Sequence, residues 1–141
     1  MIQNERQYRI TKAQADKFDK ALAQLMASPQ TNDLSPILRK AQEDSLRSVR
    51  DELRMQLEEY DALRSGKQKV ITVDSFSELP RALIQARIAA RLSQKQLAER
   101  LGLKEQQIQQ YEATEYSSAS FARIQEILQA LGVHVSLRIA S

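Results

Sequence analysis

The run QKQLAERLGLKEQQIQQYEA at 94–113 constrains the fold more tightly than any other part of the chain. Leu97, Leu101, Leu103, Ile108 and Tyr111 share one face if a helix ends at Leu101, the chain turns at Gly102, and a second helix begins near Lys104 or Glu105. Gly102 can take the left-handed backbone that such a turn demands. Ala98 is small enough to stand where two steeply crossing helices touch, and Ser93 is a suitable N-cap for the first of them. With that face turned inward, Glu105, Gln106, Gln109 and Gln110 are left outward on the second helix, and Gln107 turns toward the edge of the packing.

Further elements flank this pair. The spacing of Leu83, Ile84 and Ile88 predicts a helix over 79–92. Ser120 caps another, FARIQEILQAL, whose Phe121, Ile124, Ile127, Leu128 and Leu131 are apolar. The β-branched run VITV at 70–73 predicts a short strand. The alternation of Val133, Val135, Leu137 and Ile139 in VHVSLRI predicts a second, paired with the first or across a dimer.

The first half of the chain is also helical by pattern. Thr11 and Gln14 form a capping box before Ala15, Phe18, Leu22 and Leu25, predicting a helix over 12–27 that SPQTND at 28–33 ends. Ser35 and Pro36 open a longer helix that reaches Arg64 before Ser65 and Gly66. Leu46, Val49, Leu53, Gln56, Tyr60 and Leu63 mark its apolar seam, flanked by Leu57. That seam suits either a hairpin with the first helix or a short coiled coil with a second copy.

Composition excludes several functions. The 141 residues contain no cysteine and one histidine, His134, so no thiolate or multi-imidazole metal site and no thiol nucleophile can be built. His134 falls in the second predicted strand, as a cross-strand or surface residue. A serine triad around it lacks any supporting motif, and three scattered glycines make no phosphate-binding loop. That inventory suits a protein that is not an enzyme and needs no metal or cofactor, and the lack of an apolar leader or a run of membrane-spanning length suits a cytoplasmic one.

Charge is distributed unevenly. Residues 1–66 carry 11 Lys/Arg against 11 Asp/Glu, whereas 67–141 carry 10 against 7 and hold the whole net charge of +3. Between Arg81 and Lys104 stand Arg81, Arg87, Arg91, Lys95, Arg100 and Lys104, with Glu99 the one acid. Such a cluster suits a polyanionic partner, and it suits a solvated helix face as well.

ARLSQKQLAERLGLKEQQIQQYE, with the trailing SFARIQEILQALGV, resembles the helix-turn-helix domain of Cro/XRE-family regulators over about 79–133. The resemblance rests on Leu92, Ser93, Gln94, Leu97, Ala98, Leu101, Gly102, Ile108, Glu112, Ala130, Leu131 and Gly132. It implies that the second helix lies in the major groove of double-stranded DNA while the first crosses the phosphate backbone. Carried onto this sequence, Gln94 and Ser93 match phosphate-contacting positions, and Lys95 and Lys104 are further phosphate partners. Gln106 and Gln110 match base-reading positions, joined by Gln109. The glutamine amide pairs bidentately with adenine, and Glu105 can accept from cytosine. The loop ATEYSSAS departs from the family in lacking Gly, Pro, Lys and Arg, so a backbone contact on that side falls to Tyr116 or the serines.

The expected fold is therefore mainly α: an N-terminal helical hairpin or short coiled coil over 1–66, then a helix-turn-helix domain over 67–141 flanked by two short β-strands. The implied function is a sequence-specific repressor acting as a homodimer on a palindromic operator. The layout is similar to a HigA-like antitoxin, whose N-terminal region would bind a small toxin protein. The alternatives are a plain or phage-type repressor without a toxin, and a protein-interaction module with vestigial DNA binding.

Overall fold

The computed structural model describes residues 1–27 and 35–141, so the expected helix break at 28–33 lies outside the described residues. The chain divides into two compact units, Met1–Asp61 and Ala62–Ser141.

The first unit is built on α1 (Glu5–Ala27) and α2 (Pro36–Arg64), whose residues from Ala62 onward belong to the second unit. α2 starts where its sequence predicts, with the Ser35 hydroxyl accepting from the Leu38 N–H at 3.2 Å. α1 starts two turns before the expected position. Its cap is Asn4, whose Oδ1 accepts from the Gln7 N–H at 2.9 Å, while Gln7 Oε1 accepts from the Gln3 N–H at 2.8 Å. Thr11 and Gln14 sit inside the helix instead. The added turns have tertiary partners: the Tyr8 hydroxyl donates to Asp61 at 3.0 Å, and the Tyr8 and Tyr60 rings are 5.3 Å apart.

The two helices run antiparallel. Arg54 grips both oxygens of Asp19 at 2.8 and 2.9 Å, and Arg39 at the other end donates to the Leu25 carbonyl. Ala15, Leu22 and Tyr60 are buried, as is Ile2, while Val49 of the expected seam is exposed. The hairpin thus covers the seam only in part.

The second unit contains a 3-10 turn at Phe76–Glu78, α3 (Leu79–Ala89), α4 (Gln94–Leu101), α5 (Glu105–Ala113) and α6 (Phe121–Leu131). The Glu78 carboxylate accepts from the N–H groups of Asp74 and Ser75 at 2.8 and 3.1 Å and turns the chain into α3. Leu83, Ile84 and Ile88 of α3, Leu97 and Ala98 of α4, Ile108 of α5, and Ile127 and Leu131 of α6 form the core.

These four helices end alike. In each, a left-handed residue lets the following N–H reach back five residues: Leu92 to Arg87, Leu103 to Ala98, Tyr116 to Tyr111, Val133 to Leu128. The left-handed residues are Arg91, Gly102, Glu115 and Gly132, with φ of 58°, 68°, 52° and 69°. α3 consequently stops at Ala89 rather than continuing to Leu92.

The two β-strands expected at 70–73 and 133–139 are absent; no strand occurs among the described residues. A strand exists through hydrogen bonds to a neighbour, and an isolated pair is marginal in water. Here the alternating side chains find at most partial cover: Ile71 and Val73 are half-buried, whereas Val70, Leu137 and Ile139 are exposed, as is His134. The sequence pattern was that of a half-buried strand, but no sheet is present among the described residues to bury it.

Candidate nucleic-acid interface

The turn between α4 and α5 is fixed first by backbone chemistry. Ser93 caps α4, accepting from the Gln96 N–H at 3.0 Å, while Gln96 Oε1 accepts from the Ser93 N–H at 2.9 Å. Gly102 then takes the left-handed conformation and Leu103 bonds back to the Ala98 carbonyl at 2.8 Å. α5 begins with Gln107 Oε1 accepting from the Lys104 N–H at 3.0 Å. Gln107 therefore serves the helix start and is engaged, unlike its neighbours.

Beneath the turn lies a buried charge cluster. Arg87 of α3, 2% exposed, donates to both Glu112 oxygens at 2.6 and 2.8 Å, and Glu112 of α5 is 1% exposed. Arg87 also donates to the Leu92 carbonyl at 2.9 Å, and Gln94 Nε2 donates to Glu112 at 3.0 Å. A buried carboxylate is tolerated only when paired and hydrogen-bonded, so this arrangement holds α3, the start of α4 and the end of α5 in one geometry.

The loop after α5 closes over the same region. Thr114 Oγ1 donates to the Gln110 carbonyl at 2.8 Å, and Glu115 and Tyr116 both take positive φ without glycine. That conformation folds Tyr116 inward, where it stacks on Tyr111 with centroids 5.8 Å apart and planes 13° apart. Burial, reinforced by the nearby Glu112 carboxylate, pushes the Tyr116 hydroxyl well above the usual tyrosine range.

The residues singled out from the sequence fall into two groups. Glu105, Gln106, Gln109 and Gln110 are all exposed along α5, Lys104 is exposed at its start, and Ser93 and Lys95 are exposed at the start of α4. Gln94 and Tyr116 are buried, at 5% and 4% exposure, with their side chains turned into the domain. The basic cluster thins similarly. Arg87 is internal, Arg91 donates to the Arg64 and Ser65 carbonyls at 3.1 and 3.0 Å, and Arg100 donates to the Ala130 carbonyl at 2.9 Å. Arg81, Lys95 and Lys104 remain exposed, with no ion pair to a described residue.

The Arg87–Glu112 pair was not anticipated. Its signal was present as an arginine on the buried face of α3, one turn after Leu83 and Ile84 and beside Ile88, and so unsuited to a solvated stripe.

Two helices crossing through a glycine turn, a polar outward face on the second and an exposed lysine at the start of each are the form of a helix-turn-helix. Residues 83–137 match the helix-turn-helix family model, under half of the chain. This segment is similar to the Cro/XRE-type family. No curated protein and no solved structure matches the chain. The helix-turn-helix match supports a DNA-binding regulator, and the family is one of regulatory domains rather than enzymes. No helix among the described residues is long and apolar enough to cross a membrane.

Proposed function

We propose that the chain is a sequence-specific, double-stranded DNA-binding repressor that acts as a homodimer on a palindromic operator. The observation that carries this reading is the outward face of α5, where Glu105, Gln106, Gln109 and Gln110 stand exposed on a helix held from within by Arg87 and Glu112. Gln106, Gln109 and Gln110 read base edges in the major groove, with adenine the natural target of their amides, and Glu105 accepts from cytosine. Ser93, Lys95 and Lys104 hold phosphates. Gln94 and Tyr116 serve the interface from inside, Gln94 by fixing Glu112 and Tyr116 by stacking behind Tyr111.

One small domain reads few base pairs, which favours two copies on two half-sites. Residues 1–66 are then the interaction region, and a regulator that carries such a helical hairpin suits an antitoxin that binds a small toxin and represses its own operon. The support for that narrower role is this layout alone.

Titration of DNA flanking the chain's own reading frame tests the central reading. A specific complex that weakens steeply as salt rises is expected; binding without sequence preference would overturn it and favour the protein-interaction module. The antitoxin role predicts that the full chain retains the product of an adjacent reading frame. Retention of none would leave a plain repressor.

A further inference from the structure

The second unit carries an apolar groove of about 240 Å³ on the side of Tyr116. Phe76, Leu79, Leu83, Tyr116 and Ile124 line it, and Glu115 stands among them as its acid. Phe76 is 66% exposed although it lies against this apolar wall, and Glu115 has no ion pair with any described residue. The same unit presents a segment with the complementary chemistry. Val133, Val135, Leu137 and Ile139 alternate along 133–139 with every side chain exposed, Ile139 at 96%, and Arg138 between the last two is likewise unpaired among the described residues. Leu137 at 64% and Ile139 at 96% are the least covered of them, against 36% for Val133 and for Val135. Large apolar side chains left exposed together mark an interaction surface.

We propose that the groove receives Leu137 and Ile139 of a second copy, with Arg138 of that copy set against Glu115. This rests on the two-fold DNA-binding reading, because a palindromic operator brings a second copy alongside. Reciprocal exchange uses one groove and one segment from each copy, so the contact closes as a dimer. Charge complementarity fixes its register, since Arg138 is the one cation in 133–139 and Glu115 the one acid on the groove. Occupation of the groove also presses on Tyr116, which stacks on Tyr111 of α5. The dimer contact is thereby joined to the helix that reads bases.

The chain has no cysteine, so introduced thiols report cleanly. Full-length Phe76→Cys and Ile139→Cys chains, differing in tag size and both altered only at exposed positions, are mixed and oxidised. A disulfide between differently sized copies is expected, with little between copies of one variant. Absence of the mixed disulfide, or a doubly substituted chain that closes only on itself, would overturn the proposal. Sedimentation adds a second arm: Glu115→Arg and Arg138→Glu should each weaken the dimer about tenfold or more, by placing like charges together, and combining them in one chain should restore it. Failure of the combination to restore the dimer would also overturn it. Operator titration of the same samples separates the two readings. Specific binding by a dimer that forms no mixed disulfide removes this docking alone, whereas absence of specific binding by the native chain removes the DNA-binding reading.

Discussion

At the scale of single residues, the second unit depends on one buried ion pair, Arg87 with Glu112. Removing Arg87 strands the Glu112 carboxylate in a site that water does not reach, so Arg87→Met should cost about 3–5 kcal/mol. Arg87→Met with Glu112→Leu should recover much of that, because no unpaired charge is left behind. Urea unfolding of the native chain and of the two variants checks both statements. Equal destabilisation by the single and double changes would deny the pair its role. Tyr116 supplies a pH dependence of predictable sign. Its hydroxyl is held above the ordinary tyrosine pKa of about 10, chiefly by burial. At higher pH the unfolded chain therefore releases this proton while the folded chain keeps it, and stability falls as pH rises. The stabilisation is complete below pH of about 10 and declines above it. Thermal unfolding across that range should show the decline, and Tyr116→Phe should reduce it.

At the scale of elements, the chain closes four helices by one device but supplies glycine at only two of them. Gly102 stands at φ 68°, and a Cβ there meets nothing within 4 Å, so the effect of Gly102→Ala is purely one of backbone conformation. It should destabilise by roughly 1–2 kcal/mol, the cost of a left-handed L-residue. A melt in which this variant unfolds with the native chain would show that the turn is not strained. The α4–α5 pair was readable in advance because local signals agreed: Ser93 as cap, Ala98 at the crossing, Gly102 at the turn, Leu97 and Ile108 inward. The strands that the pattern predicts at 70–73 and 133–139 do not form, because alternation describes side-chain spacing and cannot supply the neighbouring strand. α1 starts before the Thr11 capping pattern because Asn4 caps it and Tyr8 has partners in α2 that hold the added turns. Outward placement of the α5 glutamines was legible from periodicity. The inward turn of Gln94 and Tyr116 was not, since each depends on Glu112 or Tyr111 brought near by the fold.

At the scale of the whole molecule, the chain carries a helical hairpin and a second unit with two exposed features, the polar face of α5 and the apolar segment at 133–139. On the DNA-binding reading, the exposed Lys95 and Lys104 act on any DNA alike. Lys95→Ala should weaken binding to all sequences and lower the salt dependence, leaving preference unchanged. On the same reading, the α5 glutamines set sequence preference. The central claim is that α5 reads bases, and it is tested most directly by the ratio of operator to unrelated-DNA affinity at fixed salt, for the native chain and for Gln106→Ala/Gln110→Ala. If α5 reads bases, the ratio falls by roughly 1–3 kcal/mol for each bidentate pair that the substitutions remove, while binding to unrelated DNA is retained. An unchanged ratio would contradict it.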